Sequence, residues 1–241
     1  MGLSIISSQL HSSSVPHGSG SYATGNFTPN DNSILIACVV QMVNNAAGPI
    51  TNFSISGGGL EWSSVGYSGN DSAWGIRNTT YYADVGTSPG SMQITLDCDQ
   101  DIYHWQVVVI NISGHNASAP IAGFIGSGTN ASTGDGAESQ SLTESPTAQD
   151  LVILQLCTDA ASATVVPTYN SGWIQLHEGM SATSGLGINV AYSQNTISPT
   201  VSLTDVYTGG GTYSKSCLHS FIVKTNPFVS GRNMYLVQGF Q

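Results

Sequence analysis

Hydrophobic residues along the chain fall into short runs, and Gly, Pro, Asn, Asp and Ser separate each run from the next. In residues 103–113 the pattern alternates, so that Trp105, Val107 and Val109 share one side. Runs of this length between turn-forming residues predict β-strands, and no segment has the sustained 3.6-residue period of a helix. The chain is therefore expected to be all-β with almost no helix. We predict strands over residues 33–43, 50–56, 60–67, 73–83, 92–98, 103–113, 150–158, 164–168, 173–178, 185–193, 200–204 and 214–225.

The series of predicted strands occurs twice along the chain. Residues 33–36 match 150–153, and residues 107–112 match 218–223. A period above about 100 residues indicates two duplicated units, each with about five strands. The units can form two tandem sandwiches or interleave into one sandwich of about ten strands. Three of the four tryptophans lie in the first unit, which favours a single interleaved, jelly-roll-like two-sheet sandwich.

The repeat divides the chain into a central domain and two arms. Residues 1–20 are rich in Ser and predict an N-terminal arm, and residues 226–241 predict a C-terminal arm. The duplicated β-sandwich covers residues 21–225, with repeat halves over about 21–114 and 140–225. Residues 125–149, low in apolar content, are interpreted as a linker or as a long loop with one polar edge strand.

The charge of the chain excludes several classes of partner. Charged residues make up 7% of the sequence, with 4 Lys and Arg against 14 Asp and Glu, for a formal net charge of −10. Binding through nucleic-acid phosphates needs clustered Lys and Arg, so no nucleic acid is expected as a partner. No apolar run reaches the length of a membrane span, so no membrane is expected either.

Cysteines and acidic residues offer two candidate sites, and both have a simpler structural explanation. The four cysteines lack metal-site spacing, and we expect buried free thiols in preference to two disulfides. Asp97, Asp99 and Asp101 alternate as in a Ca²⁺ loop, but Ile102 and Val108 stand where that loop needs Gly and an acid. A polar turn is favoured, with a structural Ca²⁺ as the alternative.

The sequence contains no catalytic motif. It has no GxSxG and no metal-binding histidine motif, and His104 and His219 are interpreted as ordinary strand residues at comparable places in the two halves. We therefore predict no catalytic residue, no metal ligand, no cofactor and no enzymatic activity. Five aromatic residues at loop edges form either a sugar-stacking platform or part of the core. They are Trp62, Tyr67, Trp74, Tyr81 and Tyr82.

The order of the core motifs resembles jelly-roll proteins that are common in tailed phages. The motifs are GGGLEW at 57–62, WGI at 74–76, YYA at 81–83, ITL at 94–96, WQVVVINISG at 105–114, DLVIL at 150–154, SGW at 171–173 and FIV at 221–223. The resemblance covers residues 21–225 and implies a fold more strongly than a role. It implies a capsid decoration (cement) protein or a tail- or head-fibre domain.

We expect a capsid decoration protein that binds and stabilises the outer surface of a phage head, after assembly in the host cytoplasm. The expected partners are the major capsid protein and two further copies in a homotrimer. The alternatives are a fibre module that binds a glycan or receptor, and a secreted bacterial adhesin or enzyme. The arms are expected to order on binding and to supply the partner contacts. These contacts are Leu3, Ile5, Ile6, Phe228, Arg232, Met234, Tyr235 and Leu236.

Overall fold

A computed structural model describes residues 2–12, 20–43, 53–70, 75–98, 102–129, 136–160, 164–169, 171–180, 185–194, 200–206 and 214–226. These residues contain sixteen β-strands and no helix, so the expected all-β class is confirmed. The strands are β1 (Ser4–Ser12), β2 (Gly20–Ala23), β3 (Ser33–Val43), β4 (Phe53–Ser56), β5 (Ser63–Asn70), β6 (Ile76–Asp84), β7 (Thr95–Cys98), β8 (Ile102–Ser113), β9 (Ile121–Thr129), β10 (Gly136–Ser139), β11 (Leu151–Ala160), β12 (Thr164–Tyr169), β13 (Ile174–Met180), β14 (Leu186–Gln194), β15 (Thr200–Val206) and β16 (Ser214–Val223).

The described strands form four antiparallel sheets, and each sheet takes its strands from one half of the chain. The first half has the sheets β1-β8-β3-β6-β5 and β2-β7-β4. The second half has β9-β16-β11-β14-β13 and β10-β15-β12, which is the same order eight strands later. The duplication is therefore confirmed, but each half has eight strands instead of five. The halves also do not interleave, because each one is a two-sheet sandwich of its own.

Central strands β3 and β8 are buried over residues 33–42 and 104–112 because both faces of their sheet are covered. Ile34, Ile36 and Cys38 face a core shared by the two halves. Leu35 and Val39, on the opposite face, pack in a core inside the first sandwich. Because both faces of the strand are buried, residues 33–43 form a nearly continuous apolar run. A strand with only one buried face would alternate apolar and polar residues. Burial of both faces also explains why the expected single two-sheet sandwich does not form.

The two five-stranded sheets pack face to face across a central interface with approximate twofold symmetry. Strand β8 packs on β14 and β16 packs on β6, which are equivalent pairs in the repeat. At the two margins, β5 packs on β9 and β1 packs on β13, again as equivalents. At the second margin Leu10 lies so close to Gly179 that an added Cβ there would be 2.8 Å from Leu10 Cδ2. We call the β5–β9 margin the closed flank and the β1–β13 margin the open flank.

The N-terminal segment is part of the first sandwich and is not a free arm. Strand β1 pairs with β8 along the edge of the five-stranded sheet, from Ser4 opposite Ser113 to Ser12 opposite Gln106. The polar Ser-rich composition suits a half-exposed edge strand, which is why the sequence did not predict a strand there. Residues 125–149, which were interpreted as a linker or as a long loop with one polar edge strand, contain most of β9 and all of β10.

A buried carboxylate joins the end of the second half to the turn before β11. Asp150 accepts hydrogen bonds from the backbone N–H groups of Thr147 and Thr225, each at 2.9 Å, and contacts Lys224 Nζ at 3.0 Å. Burial works to raise the pKa of Asp150, but these hydrogen bonds outweigh it and hold the pKa below its ordinary value. The contacts therefore stabilise the ionised form of Asp150. They also connect Asp150 to Lys224 and Thr225, which directly follow β16.

All four cysteines are buried free thiols, as expected. Burial raises the pKa of Cys38 to about 12, with a smaller opposing effect from a hydrogen bond with Thr80. Burial and the neighbouring Cys217 raise the pKa of Cys157. A raised pKa keeps these thiols protonated and unreactive, as in ordinary core residues. No helix among the described residues is long and apolar enough to cross a membrane.

Candidate functional site

The expected partner contacts of the N-terminal segment divide into buried and exposed residues. Leu3 is only 7% exposed and belongs to the central core, so little of its side chain faces solvent. Ile5 is partly buried and packs against the same core. Ile6 stands at a register shift between β1 and β8 and is 41% exposed. The other expected contacts, Phe228, Arg232, Met234, Tyr235 and Leu236, lie outside the described residues.

A surface groove runs along the open flank, between the beginning of β1 and the beginning of β13. Its volume is about 490 Å³. Ile174 is 54% exposed there, which is unusual for a large aliphatic side chain. None of the residues that line the groove carries a formal charge. They are Leu3, Ser4, Ile5, Leu151, Gly172, Ile174, Tyr192 and Gln194.

The last described residue also lies at this end of the molecule. The backbone N–H of Asn226 donates to Gly114 O at 3.0 Å. Gly114 in turn lies against Gly2, immediately before Leu3 of the groove. The groove, the exposed side chains of Ile6 and Ile174, and the point where the chain continues past Asn226 thus share one end. We call this region the docking end.

The closed flank contains a polar cluster that joins the two halves. The Asn78 side chain donates to the carbonyl oxygens of Gln155 and Cys217, both at 3.0 Å. Gln155 Nε2 donates to Asn78 Oδ1 at 2.6 Å, and Thr80 Oγ1 donates to Gln155 Oε1 at 2.6 Å. His219 Nε2 lies 2.7 Å from Thr80 Oγ1 and 2.8 Å from Gln155 Oε1. We call Asn78, Thr80, Gln155 and His219 the polar cluster.

The polar cluster is sealed from solvent. All four side chains are 0% exposed. The Phe124 ring meets His219 edge-on at a centroid distance of 5.5 Å and covers Gly66, where an added Cβ would be 2.5 Å from the ring. Burial lowers the pKa of His219 to about 3. A hydroxyl within reach of an imidazole is a catalytic arrangement only where a substrate can enter, so here the pair stabilises the interface.

The repeat equivalents of the polar cluster are apolar. In the first half Cys38 lies opposite Val108 and Thr80, and in the second half Gln155 lies opposite His219 and Val190. Register therefore equates Gln155 with Cys38, His219 with Val108, Thr80 with Val190 and Asn78 with Ile188. This cluster was not predicted from the sequence. One signal in the sequence could have indicated it. Gln155 and His219 are polar residues inside apolar runs, and the matching positions of the first half are hydrophobic.

Register also corrects the comparison of the histidines. In the first half His104 lies opposite Met42. The repeat equivalent of Met42 is Asp159, and in the second half Asp159 lies opposite Lys215. The equivalent of His104 is therefore Lys215, and His219 is four positions away from that place. Both histidines are fully buried strand residues.

The aromatic residues do not assemble a platform among the described residues. Tyr81 is buried and donates its hydroxyl to Phe53 O at 3.2 Å. Trp62 packs against the core of the first sandwich and Tyr82 against the central core. Tyr67 is the exception, since it is 60% exposed and lies 4.3 Å from the Arg77 guanidinium in a cation–π contact. Trp74 lies outside the described residues.

The acidic stretch provides no metal site in the described part of the chain. Asp97 accepts a hydrogen bond from the Ser21 hydroxyl across β2 and β7. Asp99 and Asp101 lie outside the described residues. Within those residues, no group of three or more His, Cys, Asp or Glu side chains converges.

The comparisons with known proteins leave the function to be argued from the geometry. No protein-family model matches the chain, and no curated protein and no solved structure matches it.

Proposed function

We propose that this chain is a structural virion protein that decorates the outer surface of a phage head. It binds the major capsid protein, works as a homotrimer and stabilises the capsid from outside. The docking end is the surface that meets the capsid. The proposal takes its class of protein from the resemblance of the core motifs and its binding surface from the geometry.

The observation that carries the proposal is the concentration of apolar surface at the docking end. Ile6, Tyr67 and Ile174 are the exposed large hydrophobic residues among the described ones. Ile174 lines the uncharged groove, and Ile6 follows the groove residue Ile5 along β1. Exposed apolar surface gathered beside a groove marks an interaction site more often than scattered apolar residues do. A partner that covers this end gains apolar burial and displaces no charged side chain of the groove.

The charge of the chain supports a position on the outer shell. A net charge of −10 with 4 basic residues disfavours contact with packaged nucleic acid. A surface rich in Ser, Thr, Asn and Gly associates through hydrogen bonds and shape more than through ion pairs.

A sedimentation assay tests the proposal. Purified protein is mixed with heads of the phage that encodes it, prepared without it, and the heads are pelleted. We expect saturable binding to the outside of the heads, reduced at least about tenfold by a double change of Ile6→Asp and Ile174→Asp, because both put a charge into the buried contact. Tyr67→Asp, which changes an exposed side chain away from the groove, is the matched control and should bind normally.

Failure of the wild-type protein to sediment with the heads would contradict decoration. Equal loss with Tyr67→Asp and with the double variant would place the contact elsewhere. Deletion of residues 1–20 is not a usable test, because it removes β1 from the sheet.

A further inference from the structure

An exposed aromatic residue and a cation lie side by side on β5 and β6 of the first half. Tyr67 is 60% exposed, and the Cζ atom of Arg77 lies 4.3 Å from the centre of its ring. The next residue, Ser68, turns to the central interface, where its Oγ lies 3.5 Å from His219 Nδ1. Because successive side chains of a strand point to opposite faces, Tyr67 faces away from that interface. The pair is therefore separate from the polar cluster and from the groove.

A glycine leaves the space beside this pair open. Gly69 lies directly opposite Arg77 and two residues after Tyr67, so a side chain there would share their face. An added Cβ would lie only 3.0 Å from the carbonyl oxygen of Ile76, which is closer than an ordinary contact. Strand β5 therefore presents no side chain over Arg77 beyond Tyr67, and Arg77 stays partly exposed.

Two buried polar side chains beside the pair have no hydrogen-bond partner in the described part of the chain. Gln41 lies opposite Arg77, is 0% exposed and leaves both polar atoms of its amide unpaired. Thr79 lies opposite Tyr67, is 2% exposed and leaves its hydroxyl unpaired. Thr79 is also opposite Val39 of the core inside the first sandwich, so it shares that inner face. Buried polar groups are almost always hydrogen-bonded, and these two therefore indicate that a polar group from outside the chain binds beside the pair.

The second half lacks the aromatic–cation pair, so the fold does not require it. Register equates Tyr67 with Glu178 and Arg77 with Gly187. Glu178 is exposed and accepts a hydrogen bond from Gln175 Nε2 at 2.8 Å. The buried polar residues beside the pair do have buried polar equivalents, which are Thr158 for Gln41 and Asn189 for Thr79. Within the described residues, the repeat thus shares the buried polar groups, and only the first half adds the exposed pair.

We propose that Tyr67 and Arg77 form a binding site for a carbohydrate that carries a carboxylate, such as an oligosaccharide with a uronic or sialic acid. The Tyr67 ring supplies a flat apolar surface against which a sugar ring packs. The guanidinium of Arg77 has only donors, arranged in a planar fork that matches a carboxylate. Sugar hydroxyls both donate and accept hydrogen bonds, as the unpaired groups of Thr79 and Gln41 require.

The charge of the chain makes the site selective for its own position. With a net charge of −10 and four basic residues, most of the surface repels an acidic ligand. One of the four, Lys224, is already paired with the buried Asp150 at 3.0 Å. Arg77 combines a cation with an exposed aromatic ring, and binding of an acidic sugar should depend on both.

Binding of the full chain to a glycan array tests the site without any capsid. The array carries oligosaccharides that end in sialic or uronic acid, each beside its neutral counterpart. We expect acidic glycans to bind at least about tenfold more tightly than their counterparts. Calorimetric titration with the best acidic glycan should show a loss of at least about tenfold in Arg77→Gln and in Tyr67→Ala, because one removes the donors and the other the ring. Arg77→Lys keeps the charge but not the fork, and it should lose at least about threefold.

The matched control is Glu178→Ala at the repeat equivalent of Tyr67, which should bind normally. Thermal unfolding verifies that each variant is folded, and amide shifts on glycan binding should fall on residues 66–70 and 76–80. The proposal would be overturned by an array without bound acidic glycans, by equal binding of the neutral counterparts, or by unchanged affinity in Arg77→Gln. The test is independent of decoration, because head binding depends on Ile6 and Ile174 and Tyr67→Asp should still sediment with heads.

Discussion

The two flanks of the central interface occupy equivalent positions in the repeat but differ in chemistry and access. The closed flank buries the polar cluster and covers it with Phe124. The open flank has Ile188, Val190, Cys38 and Val108 at the equivalent positions and leaves a groove of about 490 Å³ at its end. One flank holds the halves together through buried hydrogen bonds, and the other leaves apolar surface exposed at its end.

The difference shows how a duplicated fold gains a defined pairing. Two similar apolar sheets can slide or rotate against each other at small cost, because hydrophobic contact is not directional. A buried polar cluster penalises every register that leaves its donors and acceptors unpaired. Because Asn78 and Thr80 come from the first half and Gln155 and His219 from the second, the cluster fixes one half against the other. We interpret it as the determinant of register for the central interface.

The largest expected effect comes from Gln155→Leu. The Gln155 side chain contacts Thr80, His219, Asn78 and the carbonyl oxygen of Val39. Its loss leaves several buried polar groups without a partner, and the free energy of unfolding should fall by about 3–5 kcal/mol. Chemical denaturation at pH 7 measures the change.

The control for this prediction is the equivalent position on the open flank. Cys38→Val changes the side-chain volume little and removes only the thiol hydrogen bond with Thr80, so the loss of unfolding free energy should stay below about 1.5 kcal/mol. Equal losses at the two positions would show that the polar cluster has no special role.

A second variant replaces the whole polar cluster by the residues found on the open flank. We compare the fall in unfolding free energy of this quadruple variant with the sum of the falls for the four single variants. If the two flanks are equivalent, the quadruple variant should lose at least about 2 kcal/mol less than that sum, because hydrogen-bond partners are removed together. Losses that simply add would contradict the equivalence of the flanks. The changes are Asn78→Ile, Thr80→Val, Gln155→Cys and His219→Val.

A smaller effect should appear as a pH dependence of stability that belongs to the closed flank. Burial lowers the pKa of His219 to about 3. As the pH falls through about 6.5, His219 therefore becomes protonated in the unfolded chain but stays neutral in the folded chain. Stability from this residue is therefore complete above about pH 6.5 and falls with decreasing pH, by about 2 kcal/mol at pH 5. Denaturation of the wild type and of His219→Gln at pH 7 and pH 5 measures it. A wild-type slope that survives in His219→Gln would contradict the assignment.

The core of the fold was predictable because its strands carry strong patterns. Residues 33–43 and 150–158 are continuous apolar runs, and the match of 107–112 with 218–223 revealed the duplication. Edge strand β1 was not predicted, and for residues 125–149 the sequence predicted at most one polar edge strand where the structure has parts of two, since Ser- and Gly-rich edges resemble loops. The packing of the halves was mispredicted because the number of tryptophans says little about which faces of a sheet are covered.

The candidate sites were harder to predict because they depend on contacts between distant residues. The groove combines Leu3 with Leu151 and Ile174, and the polar cluster combines Asn78 with His219. No local spacing connects these positions. A comparison of the repeat residue by residue would have indicated Gln155 and His219, whose counterparts Cys38 and Val108 are apolar. No comparable signal pointed to the groove.

The central claim is that the open flank is the binding side of the molecule and the closed flank is structural. The most direct measurement is a cryo-electron microscopy reconstruction of phage heads saturated with the protein. We expect density for the two sandwiches on the outer surface, with the docking end, including Ile6 and Ile174, against the capsid. The closed flank, including Phe124, should face away from it. Density with the docking end turned outward, or no density at all, would contradict the account.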